Sequence, residues 1–183
     1  MISVDNQDTE SPEEKEPVKI LLAEDDTEDQ ELFVDALDEA KIASEVTTVE
    51  NGQELLDTLR DESQSDPDII FIDVNMPVKG GKKVLEEIKK DDELRGIPTV
   101  MLSTWDHPSD IEDAFAKGAD LYVQKPNSFN AFVLLLKKSL STALGKSLIG
   151  SGQKFIFCFG KECRKGVKDC FLICVFDLAR SFN

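Results

Sequence analysis

Apolar positions along this chain follow two alternating rhythms. The stretch VKILLAE, residues 18–24, is a short apolar run of the kind a strand buried on both faces shows. After it, DTEDQELFVDALDEAKI places Leu32, Phe33, Ala36, Leu37 and Ala40 on one helical face, with Asp26 or Thr27 as N-cap. EVTTVE is a second, weaker strand, NGQELLDTLRDE a short helix and SQSDP a loop. The alternation then repeats: DIIFIDV with GKKVLEEIKKDDEL, IPTVMLS with PSDIEDAFAKGA, and DLYVQKP with SFNAFVLLLKKSLSTAL. Strands alternating with helices require right-handed crossovers and a parallel sheet covered on both faces. The pattern therefore predicts an α/β domain, doubly wound, with a five-stranded parallel sheet and five helices.

Composition divides the chain more sharply than periodicity does. Residues 1–16 are acidic, polar and proline-punctuated, the composition of a disordered leader. Residues 17–149 carry the strand–helix alternation, and residues 150–183 form a tail of different character. Residues 1–150 hold 15 basic and 34 acidic side chains, whereas residues 151–183 hold 6 basic and 3 acidic. The tail also has all four cysteines and six of the eleven phenylalanines. A net charge of −16 argues against nucleic-acid binding, which needs a basic surface to displace counterions. No apolar run approaches the roughly 20 residues of a membrane span. The opening MISVDNQDTESPEEKE has no basic start and no apolar stretch, so the expected compartment is the cytoplasm.

The chemistry gathers at the carboxyl ends of the predicted strands, where ligands bind in open α/β sheets. The first strand ends in Glu24-Asp25-Asp26 and the third in Asp73, so carboxylates converge on one sheet edge. Crowded like charges raise one another's pKa unless a cation compensates. Mg²⁺ is the natural one, since it takes one or two carboxylates plus other oxygens. Asn75 lies two residues past Asp73, where its backbone carbonyl is placed to face the ion. Ser103 and Lys125 close two further strands, and a hydroxyl and an ammonium are what a phosphoryl group needs for charge neutralisation. A cis Lys125–Pro126 bond would aim the lysine inward. Taken singly these signals are weak: acidic pairs at strand–helix junctions are often N-caps, and Met-Pro or Gly-Gly alone is a turn. Together, at four strand ends of one domain, they are strong.

The stretches ILLAEDD, DIIFIDVNMP, PTVMLST and GADLYVQKP resemble the receiver domain of two-component response regulators, the flavodoxin-like fold of the chemotaxis regulator. The likeness covers residues 18–145, and separations of 30 residues from Asp73 to Ser103 and 22 from Ser103 to Lys125 suit that family. The resemblance implies that Asp73 is the phosphoacceptor, taking a phosphoryl group from a phosphohistidine on a histidine kinase or phosphotransfer protein. It implies Mg²⁺ held by Asp25, Asp73 and the backbone carbonyl of Asn75, with Glu24 acting through water. Ser103 matches the switch hydroxyl, Lys125 its phosphoryl-pairing lysine, and Tyr122 the aromatic residue that turns inward on activation. The output face, toward a downstream protein or a second copy in a homodimer, is implied to be the fourth helix, fifth strand and fifth helix.

Thr104 departs from the commonest pattern. At Thr104 the family often has alanine or glycine, and a bulkier residue would narrow access to Asp73; Trp105 is expected beside the same mouth. The stretch MPVKGGKKVLEEIKKDDELRGIPTVMLST looks most like the phytochrome-associated single-domain regulators. The only histidine, His107, reads as a loop residue, which removes Ser-His-Asp hydrolysis. Haloacid-dehalogenase phosphatases also use a strand-end aspartate, but need a second one two residues on as general acid. Asn75 stands there and cannot shuttle a proton. The remaining alternative is a pseudo-receiver, an interaction module without phosphotransfer; the full set of Asp25, Asp73, Ser103 and Lys125 argues against it.

The fifth helix carries Phe132, Val133, Leu134, Leu135 and Leu136 in succession, either a wide core stripe or a partner surface. In the tail, Cys158, Cys163, Cys170 and Cys174 lack the paired C-x2-C spacing of strong zinc sites. Disulfides are not expected in the cytoplasm. The basic, Phe-rich tail suits a membrane surface or a partner; its abrupt composition also suits a non-native or loosely packed extension.

Overall fold

The computed structural model describes residues 16–104, 107–145, 154–159 and 170–175. Most of the leader, Trp105 and Cys163 lie outside these residues. Strands β1 (Val18–Ala23), β2 (Ser44–Val49), β3 (Ile69–Asp73), β4 (Thr99–Ser103) and β5 (Leu121–Gln124) alternate with helices α1 (Thr27–Glu39), α2 (Gly52–Leu59), α3 (Gly81–Lys90), α4 (Pro108–Ala116) and α5 (Phe129–Leu144). The strands run parallel in the order β2-β1-β3-β4-β5. All five expected strands and all five expected helices are present.

Two further strands carry the sheet on beyond β5. β6 (Lys154–Phe159) pairs parallel to β5, with Leu121 opposite Phe155 and Val123 opposite Phe157, and β7 (Cys170–Val175) pairs parallel to β6. The tail that composition set apart is thus continuous with the sheet. The zinc reading of its cysteines falls on side chains outside the described ones.

Each strand shows one face to each helical layer, as a period of two requires. Leu21, Ala23, Ile70, Ile72, Met101 and Tyr122 pack under α2, α3 and α4 with Leu55, Val84, Ile88, Ala114 and Phe115. Ile20, Leu22, Ile69, Phe71, Val100 and Leu102 pack under α1 and α5 with Phe33, Leu37, Phe132 and Leu136. Phe33 meets Phe71 and Phe132 edge-on at centroid distances of 5.0 and 6.1 Å, tying both helices to the sheet.

The apolar stripe of α1 is narrower than expected. Phe33, Ala36 and Leu37 are buried, but Leu32 is 38% exposed. It precedes Phe33 by one residue and is therefore rotated by roughly 100° from it. The crowded run of α5 resolves in the same way: Phe132, Leu135 and Leu136 face the core, while Leu134 points outward. A core stripe accounts for most of that run.

The turn after β3 seats α3 against the strand end. Gly81 N–H donates to Val74 O at 3.2 Å, and a Cβ on Gly81 would stand 2.0 Å from Asp73 O. Only glycine lets the helix begin this close to Asp73. In urea denaturation Gly81→Ala is expected to lose roughly 3 kcal/mol or more, because backbone must move. Gly96→Ala, with nothing within 4 Å of the new Cβ, is expected to stay within about 0.5 kcal/mol of the parent.

Candidate functional site

The order of strands reverses between β1 and β3, and that switch point is where the acidic residues meet. Glu24 and Asp25 leave the end of β1, and Asp73 is the last residue of β3. Glu24 and Asp73 are buried, while Asp25 is exposed. Oxygens from these three carboxylates lie within 4.8 Å of one another. Asp26 is drawn away to cap α1, accepting from the N–H groups of Glu28 at 2.8 Å and Asp29 at 3.3 Å.

Lys125, just past β5, reaches across to this cluster. Its Nζ lies 2.5 Å from Glu24 Oε2, 2.7 Å from Asp29 Oδ2 and 2.9 Å from Asp73 Oδ1. Burial works against the ammonium, but Asp73, Asp29 and Glu24 outweigh it and raise its pKa well above the usual lysine range. The stabilisation it gives is thus fully present below the ordinary lysine value and is lost only as pH climbs past it. Lys125 is a fixed cation at neutral pH. Glu24 remains strained despite it: burial raises its carboxyl above the usual range, Asp73 adds to that, and Lys125 offsets only part.

The loop after β3 folds round the aspartate. Asn75 N–H donates to Asp73 Oδ2 at 2.6 Å, fixing one carboxylate oxygen. Ser103, at the end of β4, is buried, and its carbonyl accepts the N–H of Lys125 at 2.7 Å. A cleft of about 400 Å³ opens beside them, lined by Val74, Asn75, Gly80, Lys82, Lys83, Ser103 and Asp110. Tyr122 lies fully buried beneath α4, in a cluster with Met101, Ile111 and Phe115. The structure thus gathers Glu24, Asp25, Asp73, Asn75, Ser103 and Lys125 at one edge and holds Tyr122 inward.

Other expectations change. Among the described residues no peptide bond is cis, so a trans Lys125–Pro126 bond presents the lysine. Thr104 is exposed and borders a different cavity, of about 200 Å³, with Lys125, Pro126, Asn127, Leu22 and Phe132. His107 takes the extended backbone that precedes α4, where Nδ1 shares a hydrogen bond with Ser109 Oγ at 2.9 Å. Asp29 was not expected at the site. The available signal was its place in the first turn of the helix that follows the acidic pair. Lys82, bridging to Asp110 at 2.7 Å and Asp113 at 3.3 Å beside the cleft, carried no comparable signal.

The profile of the response regulator receiver domain matches residues 20–137. The chain belongs to the response regulator receiver family. The polar-differentiation response regulator DivK of Brucella anthropi is 31% identical over 127 residues, 69% of this chain and 99% of that protein. Response regulator Rcp1 of Synechocystis sp. is 30% identical over 119 residues, 63% of this chain and 81% of that one. Among solved structures, the phosphorylated cyanobacterial phytochrome response regulator RcpA matches with a TM-score of 0.66 at 34% identity, covering 74% of this chain and 99% of that one. The Mn(2+)-bound form of Rcp1 matches with a TM-score of 0.63 at 28% identity, covering 70% and 95%.

Receivers are the signalling modules of two-component systems and interact with histidine kinases and downstream targets. In this receiver the acidic site fits Mg²⁺: the donors are hard oxygens, two buried and one open to solvent. Among the described residues no helix is long and apolar enough to cross a membrane.

The strain on Glu24 has a definite sign. Folding raises its proton affinity, so its contribution favours the metal-free fold at acidic pH and is lost as pH rises through the raised value. At pH 7 in metal-free buffer, Glu24→Gln is accordingly expected to melt above wild type. Millimolar Mg²⁺ should reverse that order, because the ion stabilises only the chain that binds it well. Differential scanning calorimetry with and without Mg²⁺ checks both halves.

Proposed function

We propose that this receiver is a single-domain response regulator that accepts a phosphoryl group on Asp73 in a Mg²⁺-dependent reaction. The observation that carries the reading is the convergence of Glu24, Asp25, Asp73 and Lys125 within ion-pair or ligand distance, beside an open cleft lined by Ser103. In this reading an Asp73 carboxylate oxygen attacks the phosphorus of a phosphohistidine, the P–N bond breaks, and the imidazole leaves with that electron pair. The product is an aspartyl phosphate.

Asp25, Asp73 and the Asn75 carbonyl would hold Mg²⁺, with Glu24 acting through water, and the bound ion would supply charge neutralisation for the phosphoryl oxygens. Asn75 N–H holds Asp73 Oδ2, which leaves Oδ1, now on Lys125, to be exchanged between the ammonium and the incoming group. Lys125 then pairs with a phosphoryl oxygen and Ser103 donates its hydroxyl to another. Thr104 borders the same cavity as Lys125. Asn75 offers no carboxylate to take the proton from an attacking water, so hydrolysis is slow and the acyl phosphate persists as a signal.

The signal is read as a changed protein-binding surface on α4 and α5, with Tyr122 beneath α4 as the buried link. The partners are a histidine kinase or phosphotransfer protein and a downstream protein, in the cytoplasm, with a homodimer through the same surface. The phytochrome-associated likeness suggests a light-sensing kinase as donor.

Intact mass after incubation with acetyl phosphate tests the chemistry. Wild type with Mg²⁺ is expected to gain one phosphoryl group, and neither Asp73→Asn nor metal-free wild type to gain any. A gain that survives in Asp73→Asn places the acceptor elsewhere. No gain from acetyl phosphate or from a phosphorylated kinase leaves a pseudo-receiver.

A further inference from the structure

An ammonium has three N–H donors. On Lys125 each has a carboxylate partner, and two of those, Glu24 and Asp73, belong to the metal site proposed above. The third, Asp29, comes from the first turn of α1 at 2.7 Å. Its side chain is 41% exposed, against 4% for Glu24 and 8% for Asp73, so it pulls on the lysine from the solvent side. The helix fixes where that pull comes from. Asp29 N–H donates to the Asp26 side chain at 3.3 Å, so the cap that turns the chain out of Glu24-Asp25 also sets the height of Asp29. The Gln30 side chain pins the same loop, donating to Glu24 O at 2.6 Å.

This matters because the lysine and a divalent cation want the same oxygens. An ammonium seated squarely between Glu24 and Asp73 neutralises both and competes with the ion. An ammonium shared with a third anion is drawn toward α1, and each site carboxylate keeps more of its charge for the metal. Apolar residues Leu22, Phe33, Leu102 and Phe132 line the cavity that Lys125 and Asp29 share, so no other cation or anion among these lining residues substitutes in that exchange except Glu24 itself.

We propose that Asp29 is a positioning residue for the metal site: it holds the Lys125 ammonium toward α1, so that Glu24 and Asp73 remain available to Mg²⁺. The proposal rests on reading Glu24, Asp25 and Asp73 as that site. It predicts an effect that passes through the lysine and not merely through the removal of one negative charge.

Calorimetric titration of the full chain with Mg²⁺ alone separates these effects, using wild type, Asp29→Asn, Lys125→Gln and the double variant. Asp29→Asn is expected to weaken Mg²⁺ binding about threefold to tenfold, while Asp29→Glu, which keeps the carboxylate, restores most of it. In the Lys125→Gln background the same Asp29→Asn change should move the affinity by less than about twofold. In acetyl phosphate loading, the half-saturating Mg²⁺ concentration should rise with Asp29→Asn while the rate at saturating Mg²⁺ stays near wild type. Unchanged Mg²⁺ affinity in Asp29→Asn overturns the proposal, and so does an equal loss with and without Lys125, which reduces Asp29 to a distant charge. Thermal melts of the metal-free variants confirm that each is folded. A wild type that binds Mg²⁺ but takes no phosphoryl group removes the proposed function and leaves this inference standing. A wild type that binds no Mg²⁺ removes both.

Discussion

One cation among buried carboxylates is the constraint on which the rest of this receiver depends. Glu24 and Asp73 are buried close together at the sheet edge, and the Lys125 ammonium makes their burial tolerable. Removing the cation from such a buried arrangement typically costs about 3–5 kcal/mol, because the carboxylates left behind have neither water nor a counter-ion. The fold is arranged to make the contact. The chain travels 101 residues between Glu24 and Lys125, and the sheet brings them together by placing β1 beside β3 and β5 two strands further on. Lys125 thus reaches across two strand spacings to β3 and three to β1, about 10 and 14 Å, which only a long side chain bridges. Glycine at position 81 completes the geometry by letting α3 start against the Asp73 carbonyl.

The balance at this edge is incomplete, and that gives the site its chemistry. Lys125 is held firmly charged, yet Glu24 still prefers its proton more than a free glutamate does. A single positive charge shared by three carboxylates, with Asp25 nearby, leaves the edge negative. A divalent ion held there would restore the balance. Lys125 is bonded through its backbone to Ser103, and Tyr122 lies three residues before it under α4. Lys125 thus joins Asp73 to β4 and β5, the strands beneath α4.

Most of this was legible in the sequence because parallel strands buried on both faces read as bare apolar runs. Ile69 to Ile72 could not be mistaken, and the polar residues ending those runs marked the site. The helices were legible to within a turn, but their faces less so: Leu32 fits the stripe by count and misses it by rotation. Asp29 escaped for a related reason. On a helical wheel it is one more acid on a polar face, and only its height relative to the end of β5 brings it to Lys125. The trans bond at Pro126 and the cavity that Thr104 borders depend on loop backbone that no periodicity encodes. β6 and β7 escaped because Lys154–Phe159 and Cys170–Val175 stand in a basic, Cys- and Phe-rich tail without the alternating helical pattern that flagged the other strands.

Those two strands alter what the output surface can be. In a five-stranded sheet β5 is an edge, and its unpaired backbone groups invite another chain to add a strand. Here β5 is hydrogen-bonded to β4 on one side and β6 on the other, so its backbone is already satisfied. A protein docking on this side therefore meets side chains of α4 and α5 rather than an open β5 edge. The exposed Phe129, Leu134 and Leu144 of α5 supply apolar area for that, and the Lys82 bridges to Asp110 and Asp113 tie α4 to the cleft beside Ser103. Burying those α5 side chains adds stability to a complex, whereas the ion pairs, partly exposed, contribute little energy and chiefly fix orientation. The division follows from the chain itself: exposed apolar area lies on α5, and the ion pairs that reach the cleft beside Ser103 lie on α4.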